Sequence, residues 1–370
     1  MPPVIRKCRK CGKSNRLPAA YFLPYGRYVC GGCAADIGGK LPWWLATLIA
    51  LWALVLGAIS IANADGPEKW ALGAINLYVP QWIYALPALV IIPLVRANCA
   101  RVLWIPLVCL LYVLGPLMGF TWTAPADVNG VAHIRVMTFN AKWGWYGRDR
   151  IAREIKKFNP DIVQLQDART LLDPRYPEVR DALSGYNIRS GQNGKYLFAS
   201  RFPASRVDHH FFDDVPGAFT YTRVWVKIGK QGVAVYNTHL LTPRRGLTQI
   251  RHMDFDTVAD ESRIRLLSAS KLVSAIESES GPYILTGDLN APIQSLVCRN
   301  IEMAGARDAF SEAGRGYGYT YGQSTPLHMP YVRIDHIFVS SHWKVTDCTV
   351  GGSKASEHSP VRAVLALTGR

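Results

Sequence analysis

Residues equipped for acid–base or metal chemistry stand at the ends of apolar runs across the C-terminal two thirds of this 370-residue chain. Asn140 closes HIRVMTFN, Asp167 follows DIVQLQ, and His239 ends VAVYNTHL. Asp288 and Asn290 end PYILTGDLN, Asp335 and His336 lie in RIDHIFVS, and Glu357 and His358 precede PVRAVLAL. Carboxylates with Asn, and no cysteine among them, form a hard oxygen donor set suited to Mg2+ or Mn2+ rather than zinc. Histidines beside carboxylates supply what phosphoester hydrolysis needs. One stabilises or protonates the leaving oxygen, and an acid–metal system deprotonates water. Taken alone, Asp288 reads equally as a turn residue and His239 as a buried core histidine. So many polar strand ends in one domain are harder to dismiss.

The elements that must position these residues alternate in type. HIRVMTFN reads as a strand, and RDRIAREIKKF as an amphipathic helix with Ile151, Ile155 and Phe158 on one face. DIVQLQ is the next strand, and TRVWVKI and VAVYNTHL flank GKQG as a hairpin. DESRIRLLSASKLVSAIES is a helix, followed by the strands PYILTGDLN, RIDHIFVS, WKVTDCTV and PVRAVLAL. An α/β or α+β sandwich is expected, with helices covering sheets.

The whole-chain totals average unlike parts. A net charge of +15, 49% hydrophobic residues and 19% charged residues argue against disorder. The charge divides as +7 over residues 1–40, +1 over 41–125 and +7 over 126–370. Almost all the apolar excess sits in the middle block, so a mean hydropathy of +0.05 describes none of the three. Uncharged stretches separate Lys40 from Asp65, Lys69 from Arg96, and Arg101 from Asp127, each long enough for a membrane-spanning helix. Spans are expected at about 42–62, 75–95 and 102–122. Arg96 and Arg101 mark the second connection, while the first, around ADGPEK, is neutral or acidic. The positive-inside rule then puts the N-terminus in the cytoplasm. Residues 126–370 fall on the far side of a cell (inner or plasma) membrane.

Residues 1–40 carry Cys8-x-x-Cys11 and Cys30-x-x-Cys33. Two such knuckles offer four thiolates to one structural Zn2+, and a cytoplasmic location disfavours disulfides. A small zinc-ribbon-like module with an unknown cytoplasmic partner is expected. Cys298 and Cys348 share the oxidising side, where they could pair.

RVMTFNAKWG, DIVQLQDA, VYNTHL, LTGDLNA, RIDHIFVS and SEHSPVRAVL, in that order over about 133–367, resemble the endonuclease/exonuclease/phosphatase superfamily. KYLFASRFP is similar to another strand of that family. The resemblance implies a four-layer α/β/β/α sandwich with a divalent metal at the top of two facing sheets. It implies that Asn140 and Asp167 hold the metal, and that His239 contacts the phosphate and assists the leaving group. Asn290 would donate to a phosphoryl oxygen, Asp288 orient or deprotonate the attacking water, and Asp335 fix the His358 imidazole. Ser356 and His336 fall on flanking positions expected to be structural. Two residues depart from the pattern: Asp167 stands where Glu is usual, and Glu357, in the family also near the metal, where Asp is usual. One side chain is a methylene shorter and the other a methylene longer. A compensating swap that displaces the ion is the expectation.

Fold does not choose the substrate. Three helices holding the domain against the outer leaflet favour a phosphodiesterase or phosphatase acting on a lipid-linked or small phosphorylated anion. Arg244 and Arg245, in LTPRRGLTQIRHMDFDTVAD, are expected to bind the non-reacting part of that substrate. An extracytoplasmic nuclease acting on DNA or RNA is an alternative that suits the +7 of this domain, although no aromatic–basic interleaving supports a stacking groove. A non-catalytic receptor or scaffold that kept the fold is a third reading, opposed by the retained polar set.

Overall fold

The computed structural model describes residues 4–7, 14–17, 41–124, 132–210, 221–325, 328–352 and 354–368. Cys8, Cys11, Cys30 and Cys33 lie outside the described residues, and with them the expected zinc module. Val4–Lys7 and Ser14–Leu17 pair as a short antiparallel ribbon.

Two compact units make up the chain, Met1–Ala58 with Trp82–Pro116, and Ile59–Gln81 with Leu117–Arg370. Three helical stretches are long and apolar enough to cross a membrane: Trp43–Asp65 (α1), Gln81–Asn98 and Ala100–Leu117. Within the first unit, Leu45, Ile49, Trp52 and Leu56 form the buried stripe of α1, and Trp52 donates to the Tyr84 carbonyl at 2.8 Å. Leu51, Leu54, Leu89, Val90 and Leu111 stay exposed, a surface that water disfavours and hydrocarbon accepts.

Two expected span limits move. The second span starts near 81 rather than 75, because Ala71–Asn76 (α2) is a separate short helix with Ala74 and Leu77 buried in the second unit. The third ends near 117 rather than 122, because Thr121–Trp122 pairs with Arg315–Gly316. Hydropathy reads apolar length. It does not separate lipid-facing from protein-facing apolar side chains.

In the second unit, one sheet contains His133–Asn140 (β1), Ile162–Gln166 (β2), Asn187–Gly191 (β3), Tyr196–Ser200 (β4), Trp343–Val350 and Val361–Leu367. The other contains Asp208–His210 (β5), Tyr221–Ile228 (β6), Gln231–His239 (β7), Tyr283–Asp288 (β8), Arg307–Asp308 (β9) and Asp335–Val339 (β10). Numbering Trp343–Val350 as β11 and Val361–Leu367 as β12, the orders are β11-β12-β1-β2-β4-β3 and β9-β10-β8-β7-β6-β5. Alternation decides which face each side chain serves. Val136 and Ile162 join Val224, Val235, Ile284 and Ile337 in a core between the sheets. Their neighbours Met137 and Val163 instead pack outward on Ile151, Ile155 and Phe158 of helix Arg148–Phe158 (α3). On the opposite side, Tyr236, Leu285 and Phe338 pack on Ala269, Leu272 and Ile301, from helices Asp256–Glu277 (α4) and Leu296–Met303 (α5). The layers therefore run helix, sheet, sheet, helix.

Cys298 and Cys348 are free thiols. Cys298 is buried in the core under α5 and Cys348 in the core between the sheets, so the pairing left open by the sequence is not made.

Candidate active site

Strand direction gathers the polar residues. β1 and β2 are parallel, with Asn140 opposite Gln166, so Asn140 and Asp167 leave the sheet at the same edge. β7 and β8 are also parallel, with His239 opposite Asp288. β10 runs antiparallel and starts where β8 ends, pairing Asp335 with Asp288. Val361 lies opposite Thr138, which brings His358 to that edge as well. Gly287 lets the two parallel strands approach: a Cβ there would lie 2.0 Å from the Thr238 carbonyl oxygen. Asp167 (φ 49°) and Asn290 (φ 47°) both adopt the left-handed backbone region, a cost of the kind that clusters at functional sites.

Asp288 is the centre. Its Oδ2 accepts from Asn140 Nδ2 at 2.9 Å and lies 3.5 Å from His239 Nε2 and 3.7 Å from His358 Nε2. Its Oδ1 accepts the Asn290 backbone N–H at 2.9 Å. His358 Nδ1 donates to Asp335 Oδ2 at 2.8 Å, which fixes the ring and leaves Nε2 facing Asp288. Burial opposes protonation of His358, yet the Asp335 and Asp288 carboxylates push it up to about 9. His239 Nδ1 lies 3.4 Å from Asp167 Oδ1, so this imidazole sits between two carboxylates. Burial disfavours the charge of Asp167, but His239, Lys142 and Lys195 outweigh it and hold the carboxyl below its ordinary value.

The other expected residues sort clearly. Asn290 turns its Nδ2 to the Leu240 carbonyl at 3.0 Å. Glu357 accepts from Arg244 Nη2 at 2.9 Å and lies 3.3 Å from Lys142 Nζ. Burial raises its carboxyl pKa, and those two cations more than reverse the effect. Arg245 is exposed and does not line the cavity. Ser356 donates to the Asn140 carbonyl at 2.7 Å. His336 is enclosed by Asp308, Arg333 and the Ala291 carbonyl.

Asn140, Asp167, His239, Asp288, Asn290 and His358 line a cavity of about 720 Å³. Lys142, Trp143, Arg169, Lys195, Tyr321 and Tyr78 also line it, and sequence reasoning singled out none of them. Lys142 and Lys195 carried a usable signal, one standing two residues after Asn140 and the other opening KYLFAS. Burial drops the Lys195 ammonium to about 8 despite the pull of Asp167 and Asp288. A cavity of about 840 Å³ lies elsewhere in the unit, lined by Arg150, Arg315, His328 and Asp347. It contains none of the buried carboxylate–imidazole cluster.

The donor set fits a hard divalent cation. Ligand atoms of Asp288, Asp335 and His358 lie within 4.8 Å of one another, and buried Asp335 Oδ1 has no hydrogen-bond partner. Asn140 and Asp167 join this group through Asp288 and His239, whereas Glu357 faces cationic side chains.

Comparison with known proteins gives one family match. The profile of the "Endonuclease/Exonuclease/phosphatase family" matches residues 137–358. No curated protein sequence matches the chain. Among solved structures, truncated TDP2 of Caenorhabditis elegans is 21% identical, covering 65% of this chain and 100% of that one with a TM-score of 0.48. An endonuclease/exonuclease/phosphatase from Bacteroides vulgatus is 20% identical, covering 64% and 99%, with a TM-score of 0.48. A mannosyl-6-phosphatase from Bacteroides thetaiotaomicron VPI-5482 is 19% identical, covering 63% and 99%, with a TM-score of 0.46.

Proposed function

Because the chain belongs to the endonuclease/exonuclease/phosphatase family, whose members hydrolyse phosphoester bonds, we propose that it is a membrane-anchored, divalent-metal-dependent phosphoester hydrolase acting outside the cytoplasm on a lipid-linked or small phosphorylated substrate. The observation that carries this reading is the Asp288 carboxylate flanked by two imidazoles on the floor of a cationic cavity. Members of the family generally use a divalent metal such as Mg2+. Bound by Asp167, Asn140 and the adjoining carboxylates, it would polarise the phosphoryl oxygen and lower the pKa of water. Asp288 is placed to orient and accept a proton from the attacking water. His358, aligned by Asp335, presents Nε2 to the same space, and His239 is placed to stabilise the departing oxygen. Lys142, Arg169, Lys195 and Arg244 supply positive charge for the anion.

Placement outside the cytoplasm rests on the three apolar helices and the charge of their connections. The connection 66–80 and residues 118–370 belong to one compact unit, which agrees with a shared face of a bilayer, as three crossings require. The mixed lining of the cavity, with Tyr78, Trp143, Leu247 and Val332 beside the cations, suits a headgroup with an apolar neighbour better than a bare nucleic-acid backbone.

The test uses the full chain in lipid nanodiscs with Mg2+, offered plasmid DNA, a sphingomyelin-type diester and a polyprenyl pyrophosphate. Turnover of a lipid substrate, lost in His239→Ala, supports the reading. DNA nicking lost in the same variant, with both lipids untouched, replaces it with the nuclease. No metal-dependent turnover of any of them leaves the scaffold reading.

The paired departures carry their own prediction. Asp167 and Glu357 both interact with Lys142, so the length of one bears on the other through that ammonium. Asp167→Glu and Glu357→Asp are each expected to lower kcat about tenfold, and the double change less than the product of the two. Harmless single changes would remove the coupling.

A further inference from the structure

The segment between the first two apolar helices reaches the reaction cavity through Tyr78. It is held at three places. Arg299 of α5 donates to the Ala64 carbonyl at 2.8 Å and also to the Asn63 carbonyl, at the end of α1. Glu68 accepts the Leu296 backbone N–H at 2.9 Å, at the first turn of α5, where a carboxylate meets both a free donor and the positive helix end. Beyond α2, the Tyr78 hydroxyl donates to the Asn290 carbonyl at 2.7 Å.

That last bond reaches the chemistry. Asn290 is held at positive φ by three hydrogen bonds: its N–H to Asp288, its Nδ2 to the Leu240 carbonyl, and its carbonyl to Tyr78. Two of these originate in neighbouring strand ends and the third in the inter-helix segment. Arg265, almost fully buried, sets the other side of the ring. Its guanidinium lies 5.7 Å from the Tyr78 ring centroid and donates to the Leu241 carbonyl at 3.3 Å. Burial pushes the Tyr78 phenol up to about 12, so it remains a donor over the working pH range.

We propose that the connection between the first two apolar helices docks on α5 so as to bring Tyr78 to the wall of the reaction cavity, and that Tyr78 is a positioning residue which fixes Asn290 through its carbonyl. This rests on the hydrolase reading above, and it adds that the catalytic apparatus is complete only when the membrane-connecting segment is docked.

The test is Tyr78→Phe in the full chain in lipid nanodiscs, with bis(p-nitrophenyl) phosphate and Mg2+ as the probe. Loss of one positioning hydrogen bond should lower kcat about tenfold with KM within about twofold. Asn290→Ala should absorb that effect, so that the double variant is no slower than Asn290→Ala alone. Amide exchange of residues 288–291 should accelerate in Tyr78→Phe whether or not the probe turns over. Glu68→Gln, which loosens the segment away from the cavity, should give a smaller change of the same kind, and serves if Tyr78→Phe does not fold. A wild-type kcat in the variants, multiplicative losses, or unchanged exchange overturns the proposal. If the wild type turns over nothing, the hydrolase reading fails, and the exchange measurement still decides the role of Tyr78.

Discussion

Replacing Asp288 by asparagine is expected to lower kcat by about three orders of magnitude with only a modest fall in melting temperature. The side chain keeps its shape, but its role is electrostatic. In the native site one oxygen accepts from Asn140 and faces two imidazoles, and the other accepts from Asn290. An amide placed there keeps the Asn290 bond through its oxygen and turns an NH2 toward the Asn140 NH2. Asn140 does not simply rotate in response, because its Oδ1 already accepts the Lys142 N–H at 3.1 Å. The variant therefore loses a proton acceptor, a negative charge beside two imidazoles, and one hydrogen bond. The measurement is kcat on bis(p-nitrophenyl) phosphate at saturating Mg2+, with melting in parallel. A loss below tenfold would remove Asp288 from the centre of the mechanism.

The second large effect belongs to Asp335→Asn. Asp335 is fully buried and accepts from His358 Nδ1 at 2.8 Å. With asparagine in its place the imidazole keeps only a neutral amide at Nδ1, which turned over donates and selects the wrong tautomer, and it loses the charge that favours its protonation. A kcat loss of about ten-thousandfold follows, in line with removal of the orienting carboxylate in other hydrolases. The pH dependence has a definite sign. The folded-state pKa of His358 is raised, from about 6.5 to about 9. Its contribution to stability is thus fully present below about pH 6.5 and disappears as the pH climbs through about 9. In metal-free samples the wild type should lose melting temperature over that interval, and Asp335→Asn should show a flatter profile. Equal slopes would mean that the pair does not couple in the folded protein.

Much of this site was legible because strand ends interrupt apolar runs with polar letters. Asn140, Asp288 and Asp335 are adjacent in space for the reason they are conspicuous in sequence: each marks the place where a strand of one or the other sheet ends or begins at the same end of the sandwich. The alternation of Val136 with Met137 carried the four-layer packing in the same way, since both neighbours are apolar only when a sheet is covered on both faces. What stayed hidden depended on direction rather than type. Glu357 reads as a metal-side carboxylate, and its contacts with Arg244 and Lys142 follow from loop geometry that spacing does not encode. Tyr78 was invisible for a different reason. It lies in an apolar block where hydropathy assigns every residue to lipid, yet its hydroxyl ends on a backbone carbonyl more than two hundred residues away.

The grip of Arg299 on the Asn63 and Ala64 carbonyls also sets an order of events during synthesis. The carbonyls that receive this side chain leave the ribosome long before the arginine that binds them. Contacts this distant along the chain form late, because loop closure precedes any gain from them. The two sheets are encoded after the apolar helices, so on the membrane-anchored reading proposed above the nascent sandwich meets a segment that insertion has already placed. On that reading the docking of α5 on the end of α1 also checks delivery, and unanchored copies are expected to hold residues 63–68 less firmly against α5.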